Sequence, residues 1–180
     1  SAVLDFILTG ISWSLDTKFT SLFFLPFVIW GGELEDYLKQ YEGRWIGEYT
    51  IHSPATNFTE TFPVEQRYWM EDGQLCGLSV SDTDRGIQTA KSRTFIKEGV
   101  LYAKVSIGEK IDEYIGALHE GGLVWLPSNL ERANDYQLKE SFVKKAQQLW
   151  LHTDGFDSYV YRDGLGHLVY RGRLVLILDD

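Results

Sequence analysis

Cysteine is nearly absent: one residue, Cys76, in 180. That excludes an internal disulfide and any metal site built from several thiolates. Basic residues are outnumbered, 17 Lys and Arg against 26 Asp and Glu, for a net charge of −9. Neutralising a phosphate backbone needs clustered cations, so nucleic acid is not expected as a partner. A mainly electrostatic attraction to anionic lipid is disfavoured for the same reason. Long apolar runs are also missing. The most apolar stretch, Ser21 to Trp30, is ten residues long, too short to span a bilayer as a helix. Asp16 and Lys18 block its backward extension. No Gly-x-Ser-x-Gly elbow and no phosphate loop occurs. The four histidines, at 52, 119, 152 and 167, form no i, i+2 or i, i+4 pair, so no metal site and no cofactor is predicted.

Aromatics, by contrast, are abundant: six Trp, ten Tyr and ten Phe. Such residues favour strands, and they either line an apolar cavity or simply fill a β-rich core. The sequon Asn57-Phe58-Thr59 has meaning only in a secreted eukaryotic chain. The compartment stays open, with the cytoplasm preferred.

Residues 1–32 differ in character from the rest of the chain and are read as an apolar N-terminal extension. The first residue is Ser1, as expected of a processed, trimmed or partial chain. Three roles fit the apolar run: packing on the remainder of the protein, which is preferred, interfacial anchoring, or contact with a partner, including self-association. A signal-peptide core lacks a clean small-residue cleavage site after it. Residues 33–180 are read as one domain. Leu34, Tyr37, Leu38 and Tyr41 fall at i, i+3, i+4 and i+7, the apolar stripe of a two-turn helix that Gly43 ends.

From Arg44 onward the period becomes two. Trp45, Gly47, Tyr49 and Ile51 share one strand face. Hairpin signals then recur as Asp72-Gly73-Gln74-Leu75, Glu98-Gly99-Val100-Leu101 and Glu120-Gly121-Gly122-Leu123, with a looser version from Asp163-Gly164. Their glycines are 26, 22 and 43 residues apart. A second set lies between them: Asp82 to Gly86, Gly108-Glu109, Asn129 to Asp135 and Asp154-Gly155. Same-end turns of an antiparallel meander should recur on the order of every 20–25 residues, and the spacing fits. Asp82 to Gly86 faintly resembles a calcium loop but lacks its spacing and terminal Glu, so it reads as a turn. Ten or eleven strands are counted, with no helix to cover them. The predicted fold is therefore all-β, an antiparallel up-and-down β-barrel of about ten strands with a short N-terminal helix. A sandwich is the alternative.

A helix, then Gly43-Arg44-Trp45-Ile46-Gly47-Glu48-Tyr49 on the first strand, then acidic-Gly hairpins and the closing Tyr159-Val160-Tyr161-Arg162-Asp163-Gly164 and Tyr170-Arg171-Gly172-Arg173-Leu174, resembles the calycin group. That group holds lipocalins and fatty-acid-binding proteins, and the chain looks most like uncharacterised bacterial lipocalin-like domains. The resemblance covers about residues 33–178. It implies that Trp45 plugs the closed end and that Arg171 or Arg173 packs over it as a cation on an indole face. The second and third lipocalin motifs are not evident, and His152 and His167 do not carry over a haem site.

The function expected is binding of a small, largely apolar molecule inside the barrel. The alternatives are a barrel enzyme or chromophore lyase acting on a hydrophobic substrate, or a non-catalytic interaction protein. No residue is nominated as catalytic. Tyr49, Trp69, Tyr102, Trp125 and Tyr159 are candidates for a cavity wall, or else core. Arg67, Arg93, Glu113 and His119 interrupt strands. Each either faces the interior, where it must be paired and could orient a ligand, or points outward to water.

Overall fold

The computed structural model describes residues 29–178. The expectations about the apolar run and about self-association through residues 1–32 fall almost wholly outside them. One helix, α1 (Ile29–Lys39), precedes ten strands: β1 (Gly43–Ser53), β2 (Phe58–Glu71), β3 (Gln74–Thr83), β4 (Gly86–Lys97), β5 (Val100–Ile107), β6 (Lys110–His119), β7 (Gly122–Pro127), β8 (Tyr136–Lys145), β9 (Gln148–Tyr161) and β10 (Gly164–Ile177). Each strand pairs antiparallel with the next, and β1 closes on β10. The expected barrel is the observed one. Among the described residues no helix is long and apolar enough to cross a membrane.

The repeated turns explain the closed end. Asp72 and Gly73, Glu98 and Gly99, and Glu120 and Gly121 all sit at positive φ, the requirement at both central positions of a type I′ hairpin turn. Two residues beyond each glycine, Leu75, Leu101 and Leu123 point inward and are buried. The motif therefore repeats at one height in the barrel. Leu151 and Leu174 complete the layer around Trp45, which is 0% exposed. Helix α1 lays Leu34, Tyr37 and Leu38, with Tyr41 beyond its end, against this layer. It begins at Ile29, ahead of the apolar stripe, and runs through Gly31-Gly32. Glycine weakens a helix by about 1 kcal/mol, but packing of the apolar stripe is what holds a short helix together.

Two turn expectations are corrected. Asp154-Gly155 is not a turn but the middle of the continuous strand β9. A Cβ on Gly155 would collide with Gln137 O and Leu138 of β8, so glycine here permits close strand approach. Asp163-Gly164 belongs to the opposite, open end. The fourth closed-end turn joins β8 to β9 at Ala146, which holds positive φ without being glycine, and so carries no composition signal.

The expected Arg over Trp45 is also corrected. Arg173 lies on the outer face, where its guanidinium meets Asp154 at 2.8 Å, and Arg171 is exposed beside the same carboxylate. Phe142, at 5.8 Å between centroids, flanks the Trp45 indole, and the indole N–H donates to Tyr41 O at 2.7 Å. The two arginines sit at register positions opposite in parity to Leu174 and Leu176, the residues that share the Trp45 face.

Candidate functional site

Strand parity divides the molecule into an inner and an outer face. Above the leucine layer the inner face leaves a two-lobed cavity. The larger lobe, about 290 Å³, is walled by Tyr49, Phe62, Val64, Gln66, Tyr68, Ser79 and Ala90 among others. The smaller, about 120 Å³, lies against Leu38, Tyr41, Leu75, Thr94, Ala103 and Trp125. Both touch Tyr68, Ser92, Tyr114, Tyr136 and Glu140. Small side chains on β3 and β4 (Gly77, Ser79, Ser81, Ala90, Ser92) leave the space that the tyrosines of β1, β2, β6 and β8 do not fill.

Glu140 is the ionisable centre of this cavity. Only 9% of it is exposed. Trp125 Nε1 and Tyr41 Oη each donate to its Oε2 at 2.9 Å, and Tyr37 Oη donates to its backbone carbonyl at 3.3 Å. Burial raises its pKa above the usual carboxylate value, opposed by the Trp125 and Tyr41 hydrogen bonds. The surrounding phenols are pushed up as well, chiefly by burial. Tyr49 rises to about 12, and Tyr41 and Tyr68 well above their ordinary value. All are neutral hydroxyls at physiological pH. Tyr49 donates to Thr153 Oγ1 at 3.1 Å, and Tyr68 to Gln66 Oε1 at 3.3 Å.

Of the nine residues nominated from sequence, Tyr49 and Trp125 stand in the cavity wall. Tyr159 shares the inward register nearer the open rim, opposite Gly166, and its hydroxyl is paired with Ser53 Oγ. The other six stand on the outer face. Arg67 and Trp69 alternate with the inward Gln66, Tyr68 and Met70, and both are exposed. Arg93 bridges Glu71 at 3.4 Å, and Glu113 bridges Lys104 at 2.8 Å. Tyr102 stacks on Phe95 at 5.7 Å between centroids. His119 lies 3.7 Å from Glu120 at the closed-end rim. Trp69 and Arg93 instead border an outer groove with Cys76, Leu78, Lys91 and Lys104.

Sequence reasoning missed Glu140. A signal was present: Tyr136, Leu138 and Phe142 alternate along β8 and put Glu140 on their apolar face. A carboxyl at core parity is the kind of buried polar group that marks a site.

The open end has a second polar feature. Strands β7 and β8 pair through three residues only, Leu123 with Glu140, Val124 with Lys139 and Trp125 with Leu138. Beyond that seam a polar recess holds Asp112, Asn129, Arg132 and Asp157, and it is bounded by Tyr114 and Tyr136. These two rings, 4.9 Å apart at their centroids, also wall the cavity, so they stand between recess and interior.

No protein-family model matches this chain. No curated protein matches it either. Among solved structures it is similar to the S-type phycobiliprotein lyase of Guillardia theta, with a TM-score of 0.53 over 82% of this chain and 94% of that one, at 8% identity. A likeness at that identity is one of fold, and it agrees with the strand order and closure seen here: the chain adopts a calycin-like barrel.

Proposed function

We propose that this barrel binds a small, largely apolar ligand in its interior cavity. The observation that carries the reading is an aromatic-lined space, closed below by Trp45 and the leucine layer, into which one buried carboxyl, Glu140, is built. Binding sites of this kind are mostly apolar concavities with a few placed polar groups. A cavity near 290 Å³ lies at the small end of such sites. The resemblance to lipocalin-like domains on the Gly43-x-Trp45 strand supports the same reading.

Native mass spectrometry of protein purified from its own host tests it, alongside a Ser92→Trp variant that places an indole where the two lobes meet. A small molecule retained by the wild type and lost in the folded variant is the expected result. Equal occupancy in both proteins, or no binding of any apolar probe to the wild type, overturns it.

A lyase acting on a hydrophobic chromophore is the second reading. Two observations favour it: the fold likeness to the Guillardia theta lyase, and a buried carboxyl whose raised pKa suits it to hold a proton. It requires transfer of the bound molecule to an acceptor. A stoichiometric complex that never transfers its ligand favours binding alone.

A further inference from the structure

We propose that the cavity selects a ligand carrying a basic nitrogen on an apolar skeleton, with that nitrogen set against Glu140, and rejects carboxylate ligands. This rests on the reading that the cavity binds a ligand, and it specifies the ligand's chemistry.

The inward register positions supply the argument. Four acids occupy them: Glu60 on β2, Asp112 on β6, Glu140 on β8 and Asp157 on β9. Between the two rims the inward positions of the ten strands hold no Lys, Arg or His. Two lysines share the inward parity, both at rims. Lys110 sits at the open end and is bound to Asp112 at 2.8 Å. Lys144 is exposed at the closed end, past Phe142. Lys91 borders the cavity from an outward position, opposite Leu78 and Ser106. Lys91 apart, the cations of β2 to β5 and of β10 are therefore on the wrong side of the sheet to meet a ligand.

Glu140 itself is half-engaged. Both hydrogen bonds to its carboxyl end on Oε2, and none among the described residues ends on Oε1. A carboxylate ligand entering here would meet a like charge where Glu140 is ionised and have one proton to share where it is protonated. In both cases a negative charge is buried with no inward cation to pair it, which is strongly disfavoured. An amine meets the opposite situation. If Glu140 is protonated and the amine neutral, the carboxyl proton passes to the nitrogen. If Glu140 is ionised, the ammonium ion arrives already charged. Both routes end in the same ammonium–carboxylate pair, a charge-assisted hydrogen bond inside a low-dielectric site. The recess outside Tyr114 and Tyr136 is mixed in charge, with Asp112, Glu113 and Asp157 beside Lys110 and Arg132, so the selection rests on the interior and not on the approach.

Three probes on one skeleton test this: 1-naphthylmethylamine, 1-naphthylmethanol and 1-naphthoic acid, titrated calorimetrically into the full chain at pH 7. The amine is expected to bind about tenfold or more tighter than the alcohol, and the acid most weakly. Glu140→Gln should bring amine and alcohol to within about threefold of each other. The wild-type ranking decides the matter even if that variant fails to fold. Alcohol binding with no amine preference, or acid binding as tightly as amine, overturns the proposal and leaves the cavity reading intact. Amine binding unchanged in folded Ser92→Trp is surface association and overturns it too. Failure of all three probes removes the cavity reading and this proposal together.

Discussion

Tyr41 donates its hydroxyl to Glu140 Oε2 at 2.9 Å, across 99 positions of sequence. The residue just beyond the helix thus meets a carboxyl buried at the heart of the barrel. Plug and site are one hydrogen-bonded unit.

Tyr41→Phe should lower stability by about 1–2 kcal/mol, because a buried acceptor loses one of two donors. Trp125→Phe removes the other donor and should cost a similar amount. Since both end on Oε2, the double variant should deviate from additivity. Urea unfolding of the four proteins measures this, and strict additivity would show the two bonds to be independent.

The raised pKa of Glu140 makes a signed prediction. Burial favours the protonated form in the folded state, so its contribution to stability is full below the unfolded value near 4.5 and is lost as pH rises through the higher folded value. Asp157, also raised by burial, acts in the same direction. The groups packed around Glu140 are the phenols of Tyr37, Tyr41, Tyr49, Tyr68 and Tyr136, all raised, and none of them titrates in that range. Glu140→Gln should therefore gain stability relative to wild type between pH 4.5 and pH 8. A difference that stays constant across this range contradicts the assignment.

Two tryptophans separate core from surface. Trp45→Ala should cost about 3–5 kcal/mol, since it empties the fully buried base of the barrel. Trp69→Ala, 41% exposed on the outer face, should stay within about 1 kcal/mol. Thermal melts of the two variants check the contrast.

Trp150 provides a comparison for Trp125. Its indole N–H is buried and has no acceptor among the described residues, whereas that of Trp125 is bonded to Glu140. Trp150→Phe removes an unsatisfied donor, so it should cost less than Trp125→Phe by about 1 kcal/mol or more. The same denaturant titrations read it.

Gly172 faces Tyr49 across the β1–β10 pair, and a Cβ there would lie 2.6 Å from the Tyr49 ring. Gly172→Ala should cost about 1–3 kcal/mol by overpacking. It should also shift the Tyr49 wall of the cavity, weakening binding of the naphthyl alcohol. Unchanged affinity together with unchanged stability would show that this wall is soft.

Much of the architecture was legible locally. Hairpin turns need positive φ at set places, and the acidic-Gly pairs before Leu75, Leu101 and Leu123 announce them in four consecutive residues each. Alternation around Trp45 marked the first strand, and the stripe of Leu34, Tyr37, Leu38 and Tyr41 marked the helix face. These signals failed where glycine had another use. Gly155 serves close packing against β8, so reading it as a turn split one long strand in two. Ala146 turns the chain without glycine, so the true fourth closed-end turn went unnoticed.

The site was less legible, for a different reason. Arg67, Arg93, Glu113 and His119 stood out because they interrupt strands, yet an interruption has no side until the register is known, and a slip of one residue exchanges the two faces. On β8 the apolar alternation of Tyr136, Leu138 and Phe142 was enough to place Glu140 inside. Its partners were not readable there, because Tyr41 and Trp125 come from a helix end and from β7. Sequence alone determined the acidic-Gly turns before Leu75, Leu101 and Leu123 and the strand period, which depend on neighbours within a few residues. Only the tertiary structure decided on which face Arg67, Arg93, Glu113 and His119 stand and which hydroxyls meet the buried carboxyl, because closing the barrel sets distant strands in register.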